Sequence, residues 1–147
     1  MDRKIVAVAS DHAGVNLKAV IIDELRALGY EALDLGTNGS ESVDYPDFGY
    51  RLAQAVASGK AASGVGVCGS GIGIAMALNR YAKVRAALCT DATMARLARA
   101  HNDANVLVMG ERLIGVETAR DCLRTFLQTP FAGGRHAGRV EKLNRGL

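Results

Sequence analysis

The sequence predicts an α/β fold: a three-layer αβα sandwich around a five-stranded parallel sheet, Rossmann-like in kind. Three observations lead there. Five short strand-like segments recur, and the first, Ile5 to Ala9, is apolar throughout, as expected where both faces of a sheet are covered. Helical-period segments separate them, and regular alternation of strand and helix calls for parallel strands with helices on both faces. Several of the most polar and glycine-rich stretches follow strands, where such sheets carry their ligand sites.

Ile5 to Ala9 is the first continuous apolar run, followed by the turn Ser10-Asp11-His12-Ala13-Gly14. Leu17, Val20, Ile21, Leu25 and Leu28 recur at helical spacing, with Gly29 as the stop. Glu31 to Leu35 reads as a second strand, and Gly36 to Pro46 as a polar loop. A helix is predicted from about Asp47 to Ser58, and a third strand from Gly64 to Cys68. Ile72 to Asn79 reads as helix, Val84 to Cys89 as the fourth strand, and Ala92 to Arg99 as helix again. Val106 to Met109 is the fifth strand. A long helix from about Val116 to Gln128 is stopped by Pro130, and a last short helix follows Gly133-Gly134.

A chain of 147 residues is expected to form one domain, 1–147. Its 49% apolar and 22% charged residues suit a soluble globular protein. A net charge of +3, 5% aromatics and no Trp argue against a nucleic-acid partner. The C-terminal segment is locally basic, with Arg135, Arg139, Lys142 and Arg145, which suits a small anion better than a polymer. Three widely spaced cysteines, 68, 89 and 122, fit a reduced cytoplasmic setting. The first residues enter a strand pattern directly, so no signal peptide is expected, and no apolar run reaches membrane-spanning length.

The chemistry concentrates at Cys68-Gly69-Ser70-Gly71-Ile72-Gly73. Glycines there let backbone N–H groups converge on an anion, and the following helix start adds the positive end of its dipole. A thiol at the rim of such a nest can act as base or nucleophile. The competing reading is a tight strand–helix turn beside a buried free cysteine. The position of the loop at a strand's carboxyl end favours the site. Asp11 and His12 fall at another strand end, although Asp11 also reads as a simple helix cap. His101 heads a polar stretch, His101-Asn102-Asp103-Ala104-Asn105, which is also what an ordinary loop looks like. Arg135, His136 and Arg139 make either an anion site or a solvated basic tail. No two histidines have metal-ligand spacing, so no metal is expected. Gly64-x-Gly66-x-x-Gly69 imitates a dinucleotide fingerprint, but the strand occupies the motif instead of preceding it. No nucleotide cofactor is expected.

Taken together, Ser10-Asp11-His12-Ala13-Gly14, Gly36-Thr37, Asp44-Tyr45-Pro46, Cys68 to Gly73, His101 to Asn105, Gly110-Glu111-Arg112 and Gly133-Gly134-Arg135-His136 resemble, in this order, type B ribose-5-phosphate isomerases. That group includes galactose-6-phosphate and allose-6-phosphate isomerases. The resemblance covers nearly the whole chain. It implies an aldose–ketose isomerase that interconverts ribose 5-phosphate and ribulose 5-phosphate through a cis-enediolate, without metal or nucleotide. It implies Cys68 as the base moving the proton between C2 and C1. Another branch of the family uses a glutamate at the position of Ile74, which here is apolar. Ser70 matches a residue handling the proton on the sugar oxygen, and Gly69, Gly71 and Gly73 match the nest around the enediolate. His101 matches the group that opens the furanose ring, with Asp11 as its partner. Asn102 and Tyr45 match substrate contacts. His12, Arg112, Arg135, His136 and Arg139 match the phosphate set. The resemblance further implies a homodimer or dimer of dimers, with a C-terminal helix, about 135–147, contributing to the contact. Asn38 to Val43 and the residues around Asn79 are expected to shape the far end of the pocket.

Overall fold

The computed structural model describes residues 4–147. Five strands form one sheet: β1 (Ile5–Ser10), β2 (Glu31–Asp34), β3 (Ser63–Cys68), β4 (Ala86–Leu88) and β5 (Val106–Gly110). All neighbours pair in parallel, in the order β2-β1-β3-β5-β4. Six helices accompany them: α1 (Val15–Ala27), α2 (Tyr45–Ala57), α3 (Ile72–Leu78), α4 (Ala92–Asn102), α5 (Val116–Gln128) and α6 (Ala137–Arg145). Short 3-10 turns at His12–Gly14 and Gly134–His136 lead into α1 and α6. The expected α/β sandwich on five parallel strands is what the chain forms.

The period of two along each strand builds two different cores. Val6, Val8, Val65, Val67, Leu107 and Met109 face α1, α4 and α5, where Leu17, Ile21, Leu25, Ala95 and Leu123 meet them. Ala7, Ala9, Val106 and Val108 face the other way, toward Phe48, Leu52, Ile74 and Leu78 of α2 and α3. The second face is built from small residues so that α2 can sit close. A Cβ at Gly64 would lie 2.7 Å from Leu52 Cδ1. Leu52 is fully buried there, and burial of such a side chain contributes about 1.5–3 kcal/mol.

Boundaries differ where local pattern and partners disagree. The fourth strand, expected over 84–89, has its regular ladder to β5 over Ala86–Leu88, while Arg85 O and Cys89 N–H still bond to Val106 and Val108 at its two ends. Helix α2 starts two residues early, with Pro46 in its first turn, where its fixed φ fits and its missing N–H costs nothing. Helix α4 runs three residues beyond Arg99 and takes in His101 and Asn102, which the sequence suggests as loop. It ends when Asp103 turns left-handed (φ 47) and receives Arg99 Nη1 on its carboxylate at 2.9 Å. The helix over 116–128 is found as expected.

The strand order positions the site. From β1 the chain crosses to β2 on one side, and from β3 it crosses to β4 on the other. The two connections diverge above the carboxyl ends of neighbouring strands, which opens a crevice there.

Candidate active site

Cys68 ends β3 at this crevice, 4% exposed. The loop after it is pinned to the turn after β5. Glu111 N–H donates to Cys68 O and Arg112 N–H to Gly69 O, both at 3.0 Å. This demands glycine at 110, where a Cβ would lie 2.5 Å from the Ser70 carbonyl carbon. Gly71 turns left-handed (φ 79), and its N–H donates to Cys68 Sγ at 3.1 Å. The sulfur is thus held beside a fixed backbone donor. The Ile72 N–H donates to Ser70 Oγ at 3.2 Å, so the serine's own O–H remains free to donate elsewhere. Among the described residues, no protein acceptor takes the N–H groups of Gly69, Ser70 or Gly73. Gly71 departs from the other two glycines of the expected nest, since its N–H is engaged by sulfur and the residue is buried.

The opposite wall comes from the turn after β1. Asp11 is 7% exposed and accepts the Ala13 N–H on Oδ1 at 3.0 Å, so it does cap the 3-10 turn; it also lines the cleft. His12 Nδ1 accepts the Val43 N–H at 3.1 Å. A ring nitrogen that accepts carries no proton, so the neutral ring bears its hydrogen on Nε2. Tyr45, at the start of α2, lies across Gly73, where a Cβ would be 2.6 Å from the ring. The Arg112 guanidinium covers Gly69 in the same way, 3.3 Å from where a Cβ would be. Together Asp11, His12, Tyr45, Cys68, Gly69, Ser70, Gly73 and Arg112 line one open cleft of about 560 Å³. Ile74 is fully buried against α2 and offers no acceptor. Asn79 is not among the residues lining this cleft within one chain. Its side chain pairs with both the N–H and C=O of Ala86, covering part of the outer edge of β4.

The remaining expected residues stand elsewhere. His101 and Asn102 form the last turn of α4, at the amino ends of the strands. Asn105 O accepts the Gly64 N–H, four residues before Cys68 along β3, or ~13 Å at the rise of a parallel strand. The tail folds onto this edge. The Ala132 N–H donates to Ala100 O at 2.9 Å, and Arg99 Nε to Thr129 O at 3.1 Å. That brings His136 onto His101, with ring centroids 4.3 Å apart and planes 15° from parallel. Arg135 and Arg139 are exposed beside the pair. Desolvation, then His101 and the two arginines, push the His136 imidazole below its ordinary value of 6.5. The structure therefore gathers the expected residues into two groups on opposite edges of one sheet, and Asp11 and His101 are not neighbours within one chain.

The other two cysteines are buried in the core of α1, α4 and α5. Burial, then Cys122 and Asp91, push Cys89 up to about 12. Burial, then Asp91 and Asp121, push Cys122 up to about 11. Both are thiols at neutral pH. Among the described residues, no group of three or more His, Cys, Asp or Glu side chains is placed to hold a metal, and no helix is long and apolar enough to cross a membrane.

Three apolar side chains at the cleft were not foreseen from sequence: Ile72, Met76 and Leu113, exposed by 48%, 67% and 60%. Ile72 and Met76 stand four apart on the outer face of α3, a spacing the sequence does carry. Glu111, named in the sequence within Gly110-Glu111-Arg112, has a role that the local pattern does not carry. Its Oε1 accepts the Leu17 N–H at 2.6 Å and so caps α1 from the turn that holds the cysteine loop.

Comparison with known proteins places this geometry. A family profile described as Ribose/Galactose Isomerase matches residues 6–143. The ribose-5-phosphate isomerase B of Escherichia coli is 41% identical over 140 residues, 95% of this chain and 94% of that one. Among solved structures, a ribose-5-phosphate isomerase B from Clostridium thermocellum is 50% identical, with a TM-score of 0.94 over 96% of this chain and 95% of that one. Another, from Thermotoga maritima, is 47% identical, with a TM-score of 0.95 over 99% of this chain and all of the other, 100%.

Proposed function

The chain belongs to the ribose/galactose isomerase family, and on that premise we propose that it interconverts ribose 5-phosphate and ribulose 5-phosphate. The observation that carries the proposal is the cysteine thiol held in a cleft beside unpaired backbone N–H groups. Isomerisation removes a proton next to a carbonyl and puts negative charge on oxygen. Fixed N–H donors stabilise that charge without reorganising. In this reading Cys68 takes the proton from one carbon and returns it to the neighbour. The N–H groups of Gly69, Ser70 and Gly73 hold the enediolate oxygens, and the Ser70 hydroxyl passes the proton between them.

The second group of residues serves the ends of the substrate. His101 removes the anomeric proton and returns one to the ring oxygen, with Asp11 as its partner. His12, Arg112, Arg135, His136 and Arg139 bind the phosphate, and Asn102 and Tyr45 the sugar. Phosphate binding remote from the reacting carbons orients them. Since Cys68 and His101 stand on opposite edges of the sheet, one small sugar cannot touch both within one chain. The protein therefore works as a homodimer, alone or within a dimer of dimers, in which His101, Asn102, Arg135, His136 and Arg139 of one copy complete the cleft of the other. The apolar rim of Ile72, Met76 and Leu113 and the exposed Leu143 of α6 suit such a contact. The domain spans 1–147, with its C-terminal helix in that contact, and it acts in the cytoplasm.

The test is turnover of phosphorylated aldoses of four, five and six carbons in the presence of chelator. Highest kcat/KM on ribose 5-phosphate supports the proposal. Preference for a tetrose or hexose phosphate reassigns the substrate, and activity only with added divalent metal overturns the mechanism.

A further inference from the structure

Lys18 is the most deeply buried charged residue among those described, at 2% exposure. Its ammonium donates to Asp34 Oδ1 at 2.8 Å and to Asn38 Oδ1 at 2.6 Å. An ammonium withdrawn from water is costly unless paired, and a buried ion pair is weak as a source of stability alone. What this pair does hold is a loop. Asp34 Oδ1 also accepts the Gly36 N–H at 2.9 Å, and Asn38 opens the stretch 38–43. That stretch makes no backbone–backbone hydrogen bond among the described residues, and Gly39, Ser40, Glu41 and Ser42 are exposed. It is secured at its start by Lys18. At its end the Val43 side chain packs on the core of α2, and the Val43 N–H donates to His12 Nδ1 at 3.1 Å.

We infer that Lys18 is a positioning residue for His12, acting through Asn38 and the loop to keep the Val43 N–H on Nδ1. The consequence is chemical. With Nδ1 engaged as acceptor, His12 presents an Nε2–H donor. A phosphate oxygen needs that donor; the opposite tautomer would turn a lone pair toward it. The value of this donor rests on the proposed sugar-phosphate reading, in which His12 belongs to the phosphate set. The tautomer itself does not.

The test is the two-bond 1H–15N spectrum of the histidine rings at about pH 8.5, above the ordinary histidine range. The protein has only three histidines, and His12→Gln assigns the relevant signals. Wild type is expected to show His12 as a single Nε2–H tautomer. Asn38→Ala and Lys18→Met are expected to show an average of both tautomers. In both variants KM for the phosphorylated sugar should rise roughly 3- to 10-fold, with kcat within about twofold. Asn38 is exposed and its replacement leaves the Lys18 ammonium on Asp34, so Asn38→Ala is the milder variant and carries the test where Lys18→Met does not fold. A pure Nε2–H tautomer in Asn38→Ala would overturn the inference, because Val43 packing alone would then hold His12. The spectrum decides this on a preparation with no turnover at all, whereas absence of turnover bears only on the proposed reaction.

Discussion

His101 and His136 stack ring on ring, 4.3 Å between centroids and 15° between planes, although 35 positions separate them in the chain. The stack joins the last turn of α4 to the turn that opens α6.

The first prediction follows from that stack. His136 is lowered from 6.5 by desolvation first, then by His101, Arg135 and Arg139. A histidine lowered in the fold binds fewer protons than the unfolded chain just below 6.5. Its contribution to stability is therefore present above that value and lost as pH falls through the window beneath it. An NMR titration should place the His136 midpoint below 6.5, and His101→Ala should move it up. Inorganic phosphate should also move it up, by favouring the imidazolium. A midpoint indifferent to both changes would show that the stack does not set it.

The second concerns alkali. Cys89 stands at about 12 and Cys122 at about 11, against an ordinary 9.0. A raised acid keeps its contribution below 9.0 and loses it as pH climbs toward the folded value, since the unfolded thiol ionises first. For Cys89 the loss is on the order of 2 kcal/mol by about pH 10.5. Thermal melts from about pH 8 to 10.5 should fall more steeply for wild type than for Cys89→Ala. Parallel curves would contradict the shift.

The third contrasts two glycines of the cysteine loop. At Gly73 the atoms nearest an added Cβ belong to the exposed Tyr45 ring, which can swing away. Gly73→Ala should keep its melting temperature and raise KM. At Gly71 it meets Leu88 at 2.5 Å and the Met109 backbone at 3.0 Å, with φ at 79. Gly71→Ala should lose at least about 2 kcal/mol of stability along with its activity. Equal melting temperatures in the two variants would contradict this account of the loop.

The fold was legible because its signals are local. Short strand-like segments alternating with helical periodicity named the elements, Ile5 to Ala9 being apolar throughout, and Pro130 gave the end of α5. What escaped depended on partners. The regular ladder of β4 covers only Ala86–Leu88 of the segment 84–89, and where it begins and ends is set by its pairing with β5. His101 and Asn102 are helical because Asp103 provides a left-handed cap held by Arg99. Within the site, the Cys68 loop could be read from its glycines and its place after a strand. That His101 lies on the other edge could have been read too, since a segment between a helix and the next strand belongs to the amino ends. The cap that Glu111 places on Leu17, across 94 positions, left no trace in local pattern.

The fourth prediction tests the division of the site between two copies. Cys68→Ala and His101→Ala should each be nearly inactive on ribose 5-phosphate. Mixed and allowed to exchange, they form hybrids in which one cleft of two holds both intact residues. Random pairing then restores about a quarter of wild-type activity. No recovery, with exchange confirmed by mass, would place both residues in the site of a single chain.

The central claim is that the Cys68 sulfur is the base of the isomerisation, and pre-steady-state and steady-state turnover of Cys68→Ala on ribose 5-phosphate tests it most directly. The account predicts a fall in kcat of about 10³-fold or more, with substrate affinity within a few fold, because phosphate and hydroxyl contacts supply the ground-state binding. A variant that turns over at near wild-type kcat would contradict it, and would move the proton-transfer role to another residue of the cleft.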